Sequence, residues 1–128
     1  MIDRLFKSFK RDAGTDIYMD EDVLLKPGMN VVELNLNVCP PRNYCAIICP
    51  RSSFALKGIF IANCPVDTDY QGNVKAIVFN SSKQSILVQK GERFCQFIVL
   101  KCKPNLYKIR PLQKGRRKSH GWGSSGKC

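Results

Sequence analysis

The residues best suited to meet a phosphate crowd the carboxy-terminal end. Arg116, Arg117 and Lys118 precede the run Gly121-Trp122-Gly123-Ser124-Ser125-Gly126-Lys127-Cys128. Glycines let backbone N–H groups approach an anion closely, and an indole offers a flat face on which a base can stack. The spelling G-x-x-x-x-G-K suggests a P-loop, but that loop works between a strand and a helix, with Ser or Thr after the Lys. Here no helix follows Cys128, and Cys stands where the magnesium-binding hydroxyl belongs, so the P-loop reading is set aside. Two readings stay open for this segment: a solubilising basic tail, or a flexible strap for phosphates.

Four further stretches carry chemistry-bearing side chains. Arg51-Ser52-Ser53 follows Pro50 at the end of an apolar run. It reads either as an ordinary polar turn or as a guanidinium fork and two hydroxyls that suit a phosphate. Asp67-Thr68-Asp69-Tyr70-Gln71-Gly72 has the composition of a plain β-turn, yet a fixed carboxylate beside a phosphate could orient and deprotonate water. Gly91-Glu92-Arg93-Phe94-Cys95-Gln96 opens a strand whose alternation places Phe94 and Gln96 on one face and Cys95 and Phe97 on the other. Gln96 is then either a satisfied polar residue or a ligand contact. Ala13-Gly14-Thr15-Asp16-Ile17-Tyr18 starts the first plausible strand and brings one more carboxylate.

Composition bounds what these groups can belong to. The chain has 128 residues, 44% of them hydrophobic, which suffices for one domain with a real core. Its net charge of +11 is uneven: residues 101 to 128 hold nine Lys or Arg and no acid, while the first hundred hold twelve basic and ten acidic residues. Such a segment suits an anionic partner, whether nucleic acid, lipid headgroup or free triphosphate. Seven Cys without C-x-x-C pairs, no signal-peptide h-region and no long apolar run point to a reducing intracellular setting with no membrane span. With one His and no tight Cys pair, a zinc site is not expected. Cys45, Cys49, Cys95 and Cys102 lie in or beside apolar runs and read as small hydrophobes.

The elements that must position these groups read as strands. Val32 to Val38 alternates apolar and polar residues, and Tyr44 to Cys49, Gly58 to Ala62, Val74 to Phe79, Ser85 to Val88, Phe94 to Leu100 and Leu106 to Ile109 are rich in Ile, Val and Phe. Turn signals punctuate them at Lys26-Pro27-Gly28, Pro40-Pro41-Arg42-Asn43, Asn80-Ser81-Ser82-Lys83 and Gln89-Lys90-Gly91-Glu92. Only residues 2 to 11 show helical spacing. The pattern predicts an all-β sandwich or barrel over residues 1–112, followed by a flexible tail over 113–128.

Taken in order, AGTDIY, PRSSFALKG, VDTDYQGNV, GERFCQFIV and RKSHGWGSSG resemble the five motifs of the trimeric dUTPase family, from Ala13 to Gly126. The resemblance implies a jelly-roll β-barrel in a homotrimer whose active sites are shared between subunits. It also implies hydrolysis of dUTP to dUMP and pyrophosphate with Mg²⁺ on the triphosphate. By the same resemblance Asp67 orients the attacking water, Tyr70 packs beneath the deoxyribose, and Asn63 lies near the hairpin that reads uracil. Arg51, Ser52, Ser53 and Gln96 match phosphate contacts, and Asp16 lies near metal and triphosphate. Trp122 stands for the aromatic that stacks on uracil, Arg117 for the arginine at the γ-phosphate, and Gly123, Ser124 and Ser125 for the wrap around the phosphates.

The chain departs from the family pattern in three places. The 51–67 segment is short, and Cys64-Pro65-Val66 replaces the Gly-containing run that builds the uracil hairpin. Lys118 replaces a Gly, and the amino-terminal lead-in is brief. The sister activity, dCTP deamination, needs a Glu where this chain has Ile77, and Ala76, Val78 and Phe79 offer no carboxylate either. A competing reading is a catalytically impaired β-barrel that binds nucleic acid or a protein through its basic tail, although nucleic acid is not the expected partner.

Overall fold

The computed structural model describes residues 5–6, 12–103 and 108–112. Nine strands and one short helix follow in the order β1 (Leu5–Phe6), β2 (Thr15–Tyr18), β3 (Val23–Leu25), β4 (Gly28–Glu33), β5 (Tyr44–Pro50), α1 (Ser52–Ala55), β6 (Ile59–Ile61), β7 (Lys75–Asn80), β8 (Ile86–Val88) and β9 (Arg93–Lys101). All pairings are antiparallel and form three sheets, ordered β1-β2-β9-β5, β3-β8 and β4-β7-β6. The expected closed barrel is not what these strands build. Their strand pairing stays within three open sheets, and among the described residues no ladder joins β3–β8 or β4–β7–β6 to the large sheet.

Alternation explains which residues turn inward. In β7, Ala76, Val78 and Asn80 are buried while Lys75, Ile77 and Phe79 face out. Ala46 and Ile48 of β5, Phe94, Cys95 and Phe97 of β9, Ile17, Leu25, Val32, Leu34, Ile59 and Val88 belong with them to one contiguous core. Burial of this apolar surface is the main drive for the fold. Alternation breaks in β9: Tyr18 pairs with Arg93 and Ile17 with Cys95, which leaves Phe94 as an extra residue in a bulge. Phe94, Cys95 and Phe97 are therefore all buried, against the expected separation of Phe94 from Phe97, and Gln96 is half-buried.

Several elements differ from the sequence reading. Residues 2–11 were the one stretch with helical spacing, yet Leu5–Phe6 pair with Asp16 and Ile17 as a strand. The strand expected over 32–38 leaves its ladder after Glu33, where Asn35 adopts a left-handed φ of 55° and its amide reaches Asp20 at 3.2 Å. Contact continues through Leu34 N to Val74 O and Val74 N to Leu36 O, both 2.9 Å. The strand expected over 106–109 is absent at residues 108 and 109, and residues 106 and 107 lie outside the described residues.

Among the described residues Asn80 is the buried polar side chain of the core, and it joins two sheets. Its Nδ2 donates to Leu25 O at 2.9 Å and Gln84 O at 2.8 Å, and its Oδ1 accepts from Ser82 N at 3.0 Å and Ser82 Oγ at 2.7 Å. Removing such an amide strands buried carbonyl and N–H groups, at a cost of roughly 1–3 kcal/mol each. Asn80→Ala is expected to lower the unfolding free energy by about 2–4 kcal/mol, which urea denaturation followed by tryptophan-independent circular dichroism measures.

Candidate active site

The first cluster forms where β5 ends. Pro50 closes the strand, Arg51 stays extended (φ −70°, ψ 149°) with its N–H on Phe94 O at 2.8 Å, and α1 starts at Ser52. This helix has no signature in the sequence, since four residues carry no periodicity. Phe54 anchors it by packing edge-on against Phe94, with ring centroids 6.0 Å apart. Arg51 is thereby held at the sheet edge, and the first N–H groups of the helix, from exposed Ser52 and Ser53, have no partner inside it.

Two guanidiniums converge on one carboxylate oxygen there. Asp16 Oδ2 meets Arg51 Nε at 3.5 Å and Arg93 Nη1 at 3.4 Å, and Arg51 Nη1 donates to Arg93 O at 3.4 Å. Arg93 also lies over the Tyr18 ring, 5.6 Å from its centroid. Three charged groups, two positive and one negative, leave a surplus positive charge at an edge where Asp16 is only 17% exposed. Gln96 sits opposite Asp16 in the β2–β9 register, and its amide lies so close over Gly14 that a Cβ there would collide with it. The motif glycine is thus a seat for Gln96.

The second cluster surrounds a cavity of about 360 Å³ lined by Cys64, Pro65, Val66, Asp67, Tyr70, Asn73, Val74 and Lys75. Val66 forms a bridge with Ala46 of β5, with N···O distances of 2.7 and 3.0 Å, and this fixes the exposed Asp67 beside it. The following turn folds back on itself: Asp69 takes a left-handed φ of 69°, Tyr70 N donates to Asp67 O at 3.3 Å, and Tyr70 Oη donates to Asn73 O at 3.0 Å. A Cβ on Gly72 would strike the Tyr70 hydroxyl, so the glycine lets the ring fold down. Thr68 Oγ1 on Pro40 O and Asn37 Nδ2 on Gly72 O brace the turn from outside.

Of the residues expected from sequence, the structure gathers Asp16, Arg51, Gln96 and the neighbouring Ser52 and Ser53 at one end of the large sheet. Asp67 and Tyr70 line the cavity. Asn63 is exposed and does not line it, because the wall begins at Cys64. Arg117, Trp122, Gly123, Ser124 and Ser125 lie outside the described residues. Arg93 and Lys75 were missed. Arg93 stands within a motif already singled out, but its partnership with Asp16 and Tyr18 follows from strand pairing that one chain's spelling does not display. Lys75 lines the cavity and pairs with Glu33 at 3.8 Å.

The two clusters sit at opposite ends of β5. Val66 bridges Ala46, so Asp67 lies near Cys45, and Arg51 comes six residues later. At a rise of about 3.4 Å per residue, roughly 20 Å separates them along the strand. Among the described residues no three His, Cys, Asp or Glu side chains converge in a way that would hold a metal.

Solved structures share this fold. A Staphylococcus bacteriophage 80alpha dUTPase solved with dUpNHpp superposes with a TM-score of 0.75 over 94% of this chain and 90% of its own, at 23% identity. A dUTPase from phage phi11 of S. aureus, described with a structural Mg(II) ion, gives 0.71 over 85% and 90% at 20% identity. In sequence the chain is 34% identical over 121 residues to the deoxyuridine 5'-triphosphate nucleotidohydrolase of Caldanaerobacter subterraneus subsp. tengcongensis, covering 89% of this chain and 82% of that one. The profile of the dUTPase family matches residues 3–126, and the chain belongs to that family.

If Arg93 keeps Asp16 from cancelling Arg51, its loss should weaken anion binding more than folding. Arg93→Gln is expected to raise the dissociation constant for inorganic triphosphate about tenfold, while unfolding free energy changes by about 1 kcal/mol or less. Titration calorimetry and thermal melting of the same preparations read the two effects.

Proposed function

We propose that this protein hydrolyses dUTP to dUMP and pyrophosphate, in active sites shared between the subunits of a homotrimer. The observation that carries the reading is the cavity lined by both Asp67 and the folded-down Tyr70 in a member of the dUTPase family. Deoxyribose packs on the Tyr70 ring, and the wall from Cys64 to Val66 receives the base. Asp67 holds a water in line with the α-phosphate. A carboxylate is a weak base at neutral pH, so placing the water counts as much as taking its proton. Arg51, with the N–H groups and hydroxyls of Ser52 and Ser53 and the amide of Gln96, binds the phosphates and offsets the charge that grows on them in the transition state. Mg²⁺ on the triphosphate supplies further charge neutralisation when bound. Within 113–128, which lies outside the described residues, the family resemblance gives Trp122 the role of stacking on the base and Arg117, Gly123, Ser124 and Ser125 that of binding the phosphates.

Two observations support the assembly. The roughly 20 Å along β5 between Asp67 and Arg51 is more than their side chains can bridge to one phosphate chain, so a complete site draws them from different copies. The outer face of β4–β7–β6 is also apolar: Met29 opposes Phe79, Val31 opposes Ile77, and Phe60 opposes Phe79. Met29, Val31 and Phe60 are 74%, 63% and 58% exposed in the single chain. Contiguous apolar faces of this kind mark protein contacts.

Pyrophosphate release from dUTP, dTTP, dCTP and UTP with Mg²⁺ tests the activity. Turnover of dUTP alone is expected, and no turnover of any of them would leave the protein a binding module. Asp67→Asn is expected to lower kcat by at least about a hundredfold while dUTP binding stays within about threefold. For the shared site, Asp67→Asn and Arg51→Ala chains, each inactive alone, are mixed by refolding together. Recovery of about a quarter of the wild-type rate is expected from random trimers in which each site takes one residue from each of two copies; no recovery means that both residues serve from one chain.

A further inference from the structure

A second cavity, of about 380 Å³, lies on the other side of Asp67, and two cysteines stand in its wall together with Asn43, Tyr44, Asp67 and Thr68. Cys45 opposes Leu100 in the β5–β9 register, and Cys102 lies two residues beyond Leu100 with its N–H on Asn43 O. The two thiols therefore share one face of the pair as diagonal neighbours in the wall of one cavity, and the Cys102 thiol donates to Leu100 O at 3.6 Å. Neither is sealed in the core: both are half-buried, in contrast to the fully buried Cys95. Two thiols in the wall of one cavity beside a carboxylate have no packing role that Ala or Val would not serve as well.

We infer that Cys45 and Cys102 are a redox-active dithiol, an oxidative modification site whose closure to a disulfide slows the chemistry at the adjacent Asp67. The oxidant is a small-molecule disulfide. The Cys102 thiolate attacks one sulfur of that disulfide, the S–S bond breaks, and one thiolate leaves. Cys45 then gives up its proton and displaces the second thiolate, forming the Cys45–Cys102 bond. Two protons and two electrons have left the pair, and the oxidant has become two thiols.

The order of attack follows from surroundings. Cys45 is pushed up from the ordinary thiol range, first by its hydrogen bond to Cys102, then by burial and by the nearby charges of Cys102 and Asp67. It waits as the resolving thiol, and Cys102 reacts first. Diagonal neighbours on an antiparallel pair lie about 7–8 Å apart, whereas a disulfide wants Cα atoms within about 6.8 Å. Closure must therefore draw Cys102, one residue past the end of β9 at Lys101, towards β5. Among the described residues no strand pairing follows Lys101, so the bond that must yield is the single one from Cys102 N–H to Asn43 O. That movement narrows the cavity wall against which Asp67 and Thr68 rest, and Asp67 loses the placement on which the proposed water attack depends. The consequence for turnover rests on that proposed function; the bond itself does not.

Two readouts separate these. The reduced full-length protein is treated with oxidised glutathione and digested without reduction, and the disulfides are mapped by mass spectrometry for wild type, Cys45→Ser, Cys102→Ser and the double variant. A Cys45–Cys102 linked peptide is expected in wild type, with glutathione retained at Cys102 in Cys45→Ser. No linked peptide, or linkage of Cys102 to another cysteine instead, overturns the inference whether or not the protein hydrolyses dUTP. In the second readout dUTP turnover of wild type is expected to fall at least about fivefold on oxidation and to return with dithiothreitol, while the double variant keeps its rate in both conditions. Equal inactivation of the double variant would assign the loss to the exposed Cys39 or Cys64 and overturn the link to Asp67. A wild type that forms the linked peptide but never turns over dUTP would refute the proposed function and leave the dithiol standing.

Discussion

Seven residue pairs between β5 and β9, from Tyr44 opposite Lys101 to Pro50 opposite Cys95, set the scale of this molecule. Each potential functional group is referred to that ladder. Asp67 is attached near its start through the Val66–Ala46 bridge, and Arg51 leaves from its end with a hydrogen bond to Phe94. β9 carries Arg93 and Gln96 at the Arg51 end, and β2 adds Asp16 by pairing to β9 on its other edge. An extended backbone does not shorten, so the two clusters stay apart however the side chains move. The separation is built into secondary structure, and a rotamer change cannot close it.

At the Arg51 end the governing quantity is charge. One carboxylate between two guanidiniums leaves the edge positive without letting either arginine swing away, since Arg51 is also tied to Arg93 O and Arg93 to the Tyr18 ring. Preorganised donors of this kind favour an anion because their alignment has been fixed by folding. At the Asp67 end the governing quantity is shape: Gly72 makes room for the Tyr70 hydroxyl, and Asn73 O holds it. Both clusters use a glycine as the absence of a side chain, Gly14 under Gln96 and Gly72 under Tyr70, which ties the sequence motifs directly to geometry.

Much of this was legible in the sequence and part was not. The strands β5, β7 and β9 show themselves through β-branched and aromatic runs bounded by turn residues, and their observed bounds of 44–50, 75–80 and 93–101 lie close to the expected ones. Motif spelling led to Asp67, Tyr70, Arg51, Asp16 and Gln96, all of which the fold places in one of the two clusters. What escaped has physical causes. A four-residue helix carries no period, and the bulge at Phe94 shifts alternation by one residue without any marker such as Gly. Closure into a barrel is a statement about hydrogen bonds between distant strands, and no local pattern encodes it. Arg93 escaped because its importance lies in a partner 77 residues earlier in the chain, and Asn63 lies next to the cavity wall, which starts at Cys64.

The outward apolar face of β4–β7–β6 reaches beyond the site. Its residues alternate with Ala76, Val78 and Asn80, which the core requires, so the same strand is apolar on both sides. A single copy must expose one of those sides to water. Whenever copies cover that face for one another, folding and association become one equilibrium, and the free energy that keeps each chain native acquires a term in the logarithm of its own concentration. Abundance then sets not only how much protein is present but what fraction of it is intact.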